Sequence, residues 1–497
     1  MTATDARPTS AATTFTSLDP ATGEIVGTHP IHDAAHVRAV VEGARHEAGW
    51  WRELGHDGRR TALTAWRKLL AARLDELAAL MSRETGKPVG DALMEAALAV
   101  DHLAWASSNA EKVLRRRSVS AGLLMANQAA SVEYRPLGVI GVIGPWNYPV
   151  FTPMGSIAYA LAAGNAVVFK PSEYTPGVAE WLASRFLEAV GRPVFRVVTG
   201  FGATGAALCE AGVDKVAFTG STATGKRVMA ACAQTLTPVV IEAGGKDALL
   251  VDADADLDEA ADAALWGACA NAGQTCAGVE RIYVHERVYD DFLARLVAQA
   301  RELEARPGGQ IGPITMPSQV DVIRRHVDDA LARGGRAIVG GPVPEGARFV
   351  QPTVLVDVPE DSLAVQDETF GPTVTVTKVR DMDEAVEKAN GTRYALGSTV
   401  FSKANGPAIA ERLRAGMTAI NGVISFAGIP TLPFGGIGDS GFGRIHGPDG
   451  LREFSYPHAI ARQRFKAPIA LTTFRRSAKQ EEQLLKVVRG LYGRGAK

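Results

Sequence analysis

Asn165-Ala166-Val167-Val168-Phe169-Lys170-Pro171-Ser172-Glu173 opens the most regular stretch of the chain. Ala166 to Phe169 is apolar and valine-rich, as a buried strand requires, and Pro171 closes it. The pattern then repeats. A helix is expected over 175–190, a strand over 194–198, a helix over 203–210, a strand over 215–218, a helix over 223–233 and a strand over 239–242. Upstream, Leu137-Gly138-Val139-Ile140-Gly141-Val142-Ile143 reads as a further buried strand. Continuous apolar strands alternating with helices predict a doubly wound α/β fold with a mostly parallel sheet.

Outward from this region the period changes. Residues 33–115 carry long Ala/Leu/Arg/Glu runs at helical spacing, after a turn between short strands at Ser17-Leu18-Asp19-Pro20-Ala21-Thr22-Gly23-Glu24-Ile25. Residues 1–16 are expected to be disordered. Downstream a second α/β region is expected, with helices over 257–270, 288–303, 319–333 and 382–389, and strands over 281–284, 337–339 and 374–379. A chain of 497 residues is long enough for two or three domains.

The 53 basic and 54 acidic residues leave a net charge of -1, which gives no footprint for nucleic acid. Cys209, Cys232, Cys269 and Cys276 match no zinc spacing, so no metal is expected. A disulfide between Cys269 and Cys276 would disable either as a nucleophile. No secretory signal or membrane-length apolar run is read, and a cytoplasmic protein is expected. Residues 466–497 hold eight cations against Glu481 and Glu482, a net of +6, with Leu484, Leu485, Val487, Val488 and Leu491 on one side of a short helix. Docking on the protein's own surface or a subunit is the first reading of this tail. Peripheral contact with an anionic membrane is the second.

The chemistry centres on Cys276, in Asn271-Ala272-Gly273-Gln274-Thr275-Cys276, downstream of Glu242-Ala243-Gly244-Gly245-Lys246. A thiolate attacks carbonyl carbon well, and a tuned carboxylate takes a proton from thiol or water. Phe218-Thr219-Gly220-Ser221-Thr222-Ala223-Thr224-Gly225-Lys226 is a glycine-framed strand-to-helix turn, suited to a diphosphate at a helix N-terminus. It nearly matches a nucleotide P-loop, but Arg227 stands where Ser or Thr would hold magnesium. Lys170 and Glu173 follow a strand end, where a carboxylate can accept both ribose hydroxyls and repel a 2′-phosphate, favouring NAD over NADP. In Gly144-Pro145-Trp146-Asn147-Tyr148-Pro149, the Asn147 amide can cradle an oxyanion together with the backbone N–H of Cys276.

These pieces together resemble the NAD(P)-dependent aldehyde dehydrogenase superfamily. The resemblance rests on Pro145-Trp146-Asn147-Tyr148-Pro149, Lys170-Pro171-Ser172-Glu173, Phe218-Thr219-Gly220-Ser221, Glu242-Ala243-Gly244-Gly245-Lys246, Gly273-Gln274-Thr275-Cys276, Glu368-Thr369-Phe370-Gly371-Pro372 and Pro433-Phe434-Gly435-Gly436, in that order over residues 17–465. It implies Cys276 as nucleophile, Glu242 as general base and Asn147 in the oxyanion hole. It implies a cofactor set of Ile143, Trp146, Lys170, Glu173, Gly220, Ser221, Glu368 and Phe370. It implies a Rossmann-type NAD-binding domain (17–118 and 137–243), an α/β catalytic domain (244–449) and a small bridging sheet (119–136 and 450–465) for a homodimer or homotetramer, before the basic extension 466–497. Two departures stand out: Ala243 replaces the usual leucine, and Asp247 adds charge near the base.

Candidate pocket residues are Phe151, Met154, Trp266, Thr275, Phe426 and Phe434, mostly apolar or aromatic, which suits an aliphatic or aromatic aldehyde. Succinate semialdehyde is the alternative substrate. Transfer of the acyl group to CoA is a weaker one, because Glu242 can activate water. A purely structural role fits poorly with Cys276, Glu242 and Asn147 all present.

Overall fold

The computed structural model describes residues 13–467, 469 and 473–493. Its described residues divide into two compact units, one from residue 13 to 113 and from 136 to 455, the other from 114 to 135 and from 456 onward.

The larger unit contains two multi-stranded sheets. The first has six strands in the order Gly441–Phe442, Val239–Glu242, Lys215–Thr219, Val139–Ile143, Ala166–Lys170 and Phe195–Val197. All neighbours run parallel except Gly441–Phe442, which returns antiparallel to Val239–Glu242 from far downstream. The chain leaves the central strand Val139–Ile143 in one direction, then comes back to its other side with Lys215–Thr219. Such a reversal opens a crevice at the carboxyl ends of the two strands, beyond Ile143 and Thr219. The second sheet has seven strands, Arg336–Val339, Thr353–Val356, Thr373–Val379, Val279–His285, Asp247–Val251, Gly397–Phe401 and Met417–Ile420, with only the first pair antiparallel. Strands such as Ala166–Lys170 and Asp247–Val251 are buried at every position, the reason they show no polar alternation.

The link between the sheets decides where the site lies. Glu242 ends a strand of the first sheet, and Asp247 begins a strand of the second. The carboxyl edge of one sheet therefore feeds directly into the amino edge of the other. Helices Ala34–Glu53, Gly55–Ala72, Leu74–Thr85 and Val89–Leu114 fill the helical region 33–115. The strand Thr14–Leu18 pairs with Ile25–Pro30, so residues 14–16 are ordered in a sheet, contrary to the expected disorder. Residues 1–12 lie outside the described residues.

The smaller unit holds, but for the end residues Pro136 and Ser455, a three-stranded sheet of Arg117–Val119, Gln128–Pro136 and Ser455–Gln463 in the order third, second, first along the chain. Helix Gly447–Glu453, which the expected boundary at 450 would cut, lies whole within the larger unit. In the tail, helix Ala478–Tyr492 is capped by Ser477 and Gln480 and buries none of its residues. No helix among the described residues is long and apolar enough to cross a membrane.

Candidate active site

Three chain segments converge on Cys276. The first leaves strand Val139–Ile143 and enters helix Phe151–Ala163, carrying Trp146 and Asn147. Its Gly144 N–H donates to the carbonyl of Lys170 at 3.1 Å. Asn147 is buried, and its Nδ2 donates to the carbonyl of Gln274 at 2.8 Å.

The second segment follows helix Leu257–Cys269. Asn271, Ala272 and Gly273 all adopt left-handed backbone, with φ of 53°, 56° and 70°. Glycine is required at 273, since a Cβ there would lie 2.1 Å from the backbone of Gly371. The two non-glycine residues cost on the order of 1 kcal/mol each and need compensating contacts. Asn271 Nδ2 donates to the carbonyls of Asn147 (2.9 Å) and Gln274 (3.2 Å). The Gln274 side chain donates back to the Asn271 carbonyl (2.9 Å) and accepts from Thr315 N–H (2.8 Å). Thr275 meets the Tyr148 hydroxyl at 2.9 Å. The strained turn is thereby fixed, and it presents a partly exposed Cys276.

The third segment is the end of strand Val239–Glu242. The Glu242 carboxylate is 3% exposed, and neither oxygen has a hydrogen-bond partner of good geometry. Burial lifts its pKa to about 7, only partly offset by the Cys276 thiol and Thr219. Burial, then the Glu242 charge, pushes the Cys276 thiol well above its ordinary range. The neutral thiol favours the Glu242 carboxylate while that carboxylate opposes thiolate formation, so around neutrality the sulfur keeps its proton beside a base of pKa about 7. Asp247 is a second buried acid, also raised to about 7 by burial, with Oδ2 unpartnered. All four cysteines are free, so no disulfide blocks Cys276.

Two cavities meet at this point. One, of about 260 Å³, is lined by Met94, Leu98, Phe151, Trp266 and Phe434 as well as Thr275. The other, of about 190 Å³, is lined by Trp146, Gly220, Ser221, Glu242, Glu368 and Phe370. Cys276 and Thr152 belong to both walls. Met154 and Phe426, expected in the apolar pocket, are not among its lining residues. Met154 is fully buried, and the Phe426 ring backs Phe434 at 6.4 Å. Helix Phe151–Ala163 is apolar and buried nearly all round, so its sequence does not reveal which face meets the cavity. Sequence reading missed Lys87, Asp91, Met94, Glu95 and Leu98 from the helical region. The available signal was a charge, Glu95, embedded in the run Leu93-Met94-Glu95-Ala96-Ala97-Leu98.

The second cavity has the features a nicotinamide dinucleotide needs. Ser221, which lines this cavity, caps helix Thr222–Ala233, and a helix N-terminus offers backbone N–H groups to an anion. Glu368 accepts from Gly245 N–H at 3.1 Å, and burial followed by the Glu280 charge raises its pKa to about 8. A Cβ at Gly244 would sit 2.2 Å from Glu368 Oε2, so glycine there admits the carboxylate. Trp146 and Phe370 meet edge to face at 5.5 Å. Lys170 and Ile143 pair in register at the same sheet edge, and Lys170 Nζ lies 3.8 Å from the part-exposed Glu173. Lys170, Glu173 and Ile143 stand outside the 190 Å³ wall, along the edge towards which a longer ligand would extend.

Comparison with known proteins agrees with this arrangement. Residues 7–460 match the aldehyde dehydrogenase family. The chain is 37% identical to a 4,4′-diapolycopene aldehyde oxidase of a Methylomonas species, covering 97% of this chain and 92% of that protein. It is 35% identical to the NADP-type succinate-semialdehyde dehydrogenase GabD of Escherichia coli K12, covering 88% and 92%. The crystal structure of PnpE in complex with nicotinamide adenine dinucleotide superposes with a TM-score of 0.86 at 32% identity, covering 92% and 96%. The chain is a member of the aldehyde dehydrogenase family of oxidoreductases.

Proposed function

We propose that this protein oxidises an apolar aldehyde to its carboxylic acid through a thioester on Cys276, with NAD preferred over NADP. The observation that supports this best is that Cys276 lines both the apolar cavity and the cavity holding Trp146, Ser221 and Glu368. In this reading Glu242 takes the thiol proton onto a carboxylate oxygen with no other partner. The thiolate adds to the aldehyde carbon. Asn147 spends one amide N–H on Gln274, leaving the other, with the backbone N–H of Cys276, for the new oxyanion. A bound nicotinamide dinucleotide supplies the acceptor for the hydride that leaves this carbon. Ser221 and Gly220 would receive its diphosphate, Lys170 and Glu173 its adenosine ribose, and Glu368 its nicotinamide ribose, with Ile143, Trp146 and Phe370 bounding the slot. Glu242 passes the thiol's proton to solvent and, ionised again, takes a proton from water, which attacks the thioester and frees the acid and the thiolate.

The substrate reading rests on charge. Lys87 is the cation among the apolar cavity's lining residues, and Glu95 already pairs with it; Asp91 adds an acid. A distal carboxylate would find no free cation among these lining residues. The name of the Escherichia coli relative favours the second reading, succinate semialdehyde. Values of kcat/KM for hexanal, benzaldehyde and succinate semialdehyde, each with NAD and NADP, decide between them. Apolar aldehydes should lead by at least about tenfold, the ~1.4 kcal/mol of one desolvated contact. A lead for succinate semialdehyde overturns the apolar assignment. Segments 119–136 and 450–465 are proposed to join copies of the chain into a homodimer or homotetramer, which sedimentation tests.

A further inference from the structure

We infer that the buried ion pair Lys87–Glu95 is a positioning element for the oxyanion donor Asn147. This rests on the reading of Asn147 given above. Lys87 follows helix Leu74–Thr85, and Glu95 lies in helix Val89–Leu114. Both side chains are 1% exposed, and Lys87 Nζ donates to Glu95 Oε2 at 2.5 Å. The rest of their bonding converges on one short loop. Lys87 Nζ donates to the Asn147 carbonyl at 2.7 Å and lies 4.3 Å from the Tyr148 ring centre. Glu95 Oε1 accepts from Val150 N–H (2.9 Å) and Phe151 N–H (3.1 Å). The pair thus grips residues 147, 148, 150 and 151, and neither partner has an unsatisfied buried side-chain atom.

A buried ion pair is a poor source of stability, because desolvating two charges offsets most of their attraction. What this one provides is direction. The Asn147 carbonyl is held by Lys87 and by Asn271, while the Asn147 amide is held by the Gln274 carbonyl. Lys87 and Glu95 therefore fix the peptide from which the amide projects, and the nucleophile turn fixes the amide itself. An oxyanion donor must be held to within about 0.5 Å of its productive position, and a misplacement of about 1 Å can cost on the order of 10² in rate.

The test is a double-mutant cycle between the pair and Asn147. Lys87→Met/Glu95→Gln removes both charges together, so no lone charge is left buried, and the introduced amide oxygen still accepts from the loop N–H groups. This variant should lose about 10- to 100-fold in kcat with the KM for NAD unchanged. In an Asn147→Ala background the same two changes should cost less than about threefold, because residues acting through one another are not additive. Equal losses in both backgrounds overturn the inference and leave a merely structural pair. If Asn147→Ala alone keeps wild-type kcat, the oxyanion reading fails instead, and the two failures are distinguishable. Should the double variant not fold, Lys87→Arg keeps the charge but displaces the Asn147 carbonyl, and the same cycle applies.

Discussion

Asn147 and Glu242 are both buried beside Cys276, yet their surroundings are opposites. Asn147 takes part in three hydrogen bonds, through its carbonyl to Lys87 and Asn271 and through its amide to Gln274. The Glu242 carboxylate makes none of good geometry. The difference matches the two tasks proposed for these groups. A group that stabilises a developing charge must already be in place, since reorganising it would cost the energy it supplies. A base must keep an oxygen free to receive a proton, and burial without partners holds its pKa near neutrality.

The most severe way to break the comparison is to remove the sulfur both groups serve. Cys276→Ala should abolish aldehyde oxidation while NAD binding, measured by calorimetry, remains. Retained oxidation would exclude Cys276 as nucleophile. Next come the two flanking groups, which should fail differently. Glu242→Gln should lose on the order of 10² to 10⁴ in steady-state rate, yet, because it also removes the charge that opposes thiolate formation, still release up to one equivalent of reduced cofactor in a rapid-mixing burst, with acyl-enzyme on Cys276 detected by intact mass. Asn147→Ala should lose about 10² to 10³ with no burst, because the oxyanion forms before the oxidation. A burst in both variants, or in neither, would mean that they act on the same step.

The pH dependence sharpens the same contrast. Glu242 must be ionised to accept a proton, so kcat/KM should rise with pH through about 7. Stability should move the other way. Glu242 and Asp247 are raised to about 7 and Glu368 to about 8, each chiefly by burial. Between an ordinary carboxylate pKa near ~4.5 and about 8, the unfolded chain has released protons that the native state retains. The native state is then favoured at the acid end and loses stability as pH rises. Glu242→Gln should erase the acid limb of activity and reduce the slope of Tm against pH. Asn147→Ala, having nothing to titrate, should leave both shapes intact. Persistence of the acid limb in Glu242→Gln would assign it to another group.

That Cys276, Glu242 and Asn147 would meet at one cavity was legible because each sits in a short motif close to a strand. The sequence also revealed the parallel sheet of the cofactor half, since strands such as Ala166–Lys170 are apolar up to their last residue. It did not reveal the strands Asp247–Val251, Gly397–Phe401 and Met417–Ile420, where Asp247, Ser398, Thr399 and Thr418 interrupt the apolar run. Nor did it find Lys87 and Glu95. Their partners lie about 55 to 60 positions downstream, and a lysine and a glutamate in a helical region resemble any solvated pair. Met154 and Phe426 were misplaced because an all-round apolar helix or turn carries no sign of which face it turns to the cavity.

The smallest expected effect lies farthest from the sulfur, at Glu173. Its carboxylate is only loosely engaged, at 3.3 Å from the Ser172 hydroxyl and 3.8 Å from Lys170 Nζ. With 35% of its side chain exposed, it is free to accept ribose hydroxyls. A 2′-phosphate would bring negative charge against it, with Lys170 providing partial compensation. Partial exposure and that compensating cation keep the repulsion modest. Glu173→Gln keeps the size and removes the charge. Discrimination for NAD over NADP, taken as the ratio of kcat/KM values, should fall by about tenfold, ~1.4 kcal/mol, with kcat for NAD nearly unchanged. Glu173 is proposed to act before the chemistry, so the burst expected of Glu242→Gln should survive in the Glu173→Gln/Glu242→Gln double variant at saturating NAD. A wild-type protein that prefers NADP, or a ratio untouched by the substitution, would remove Glu173 from the cofactor site.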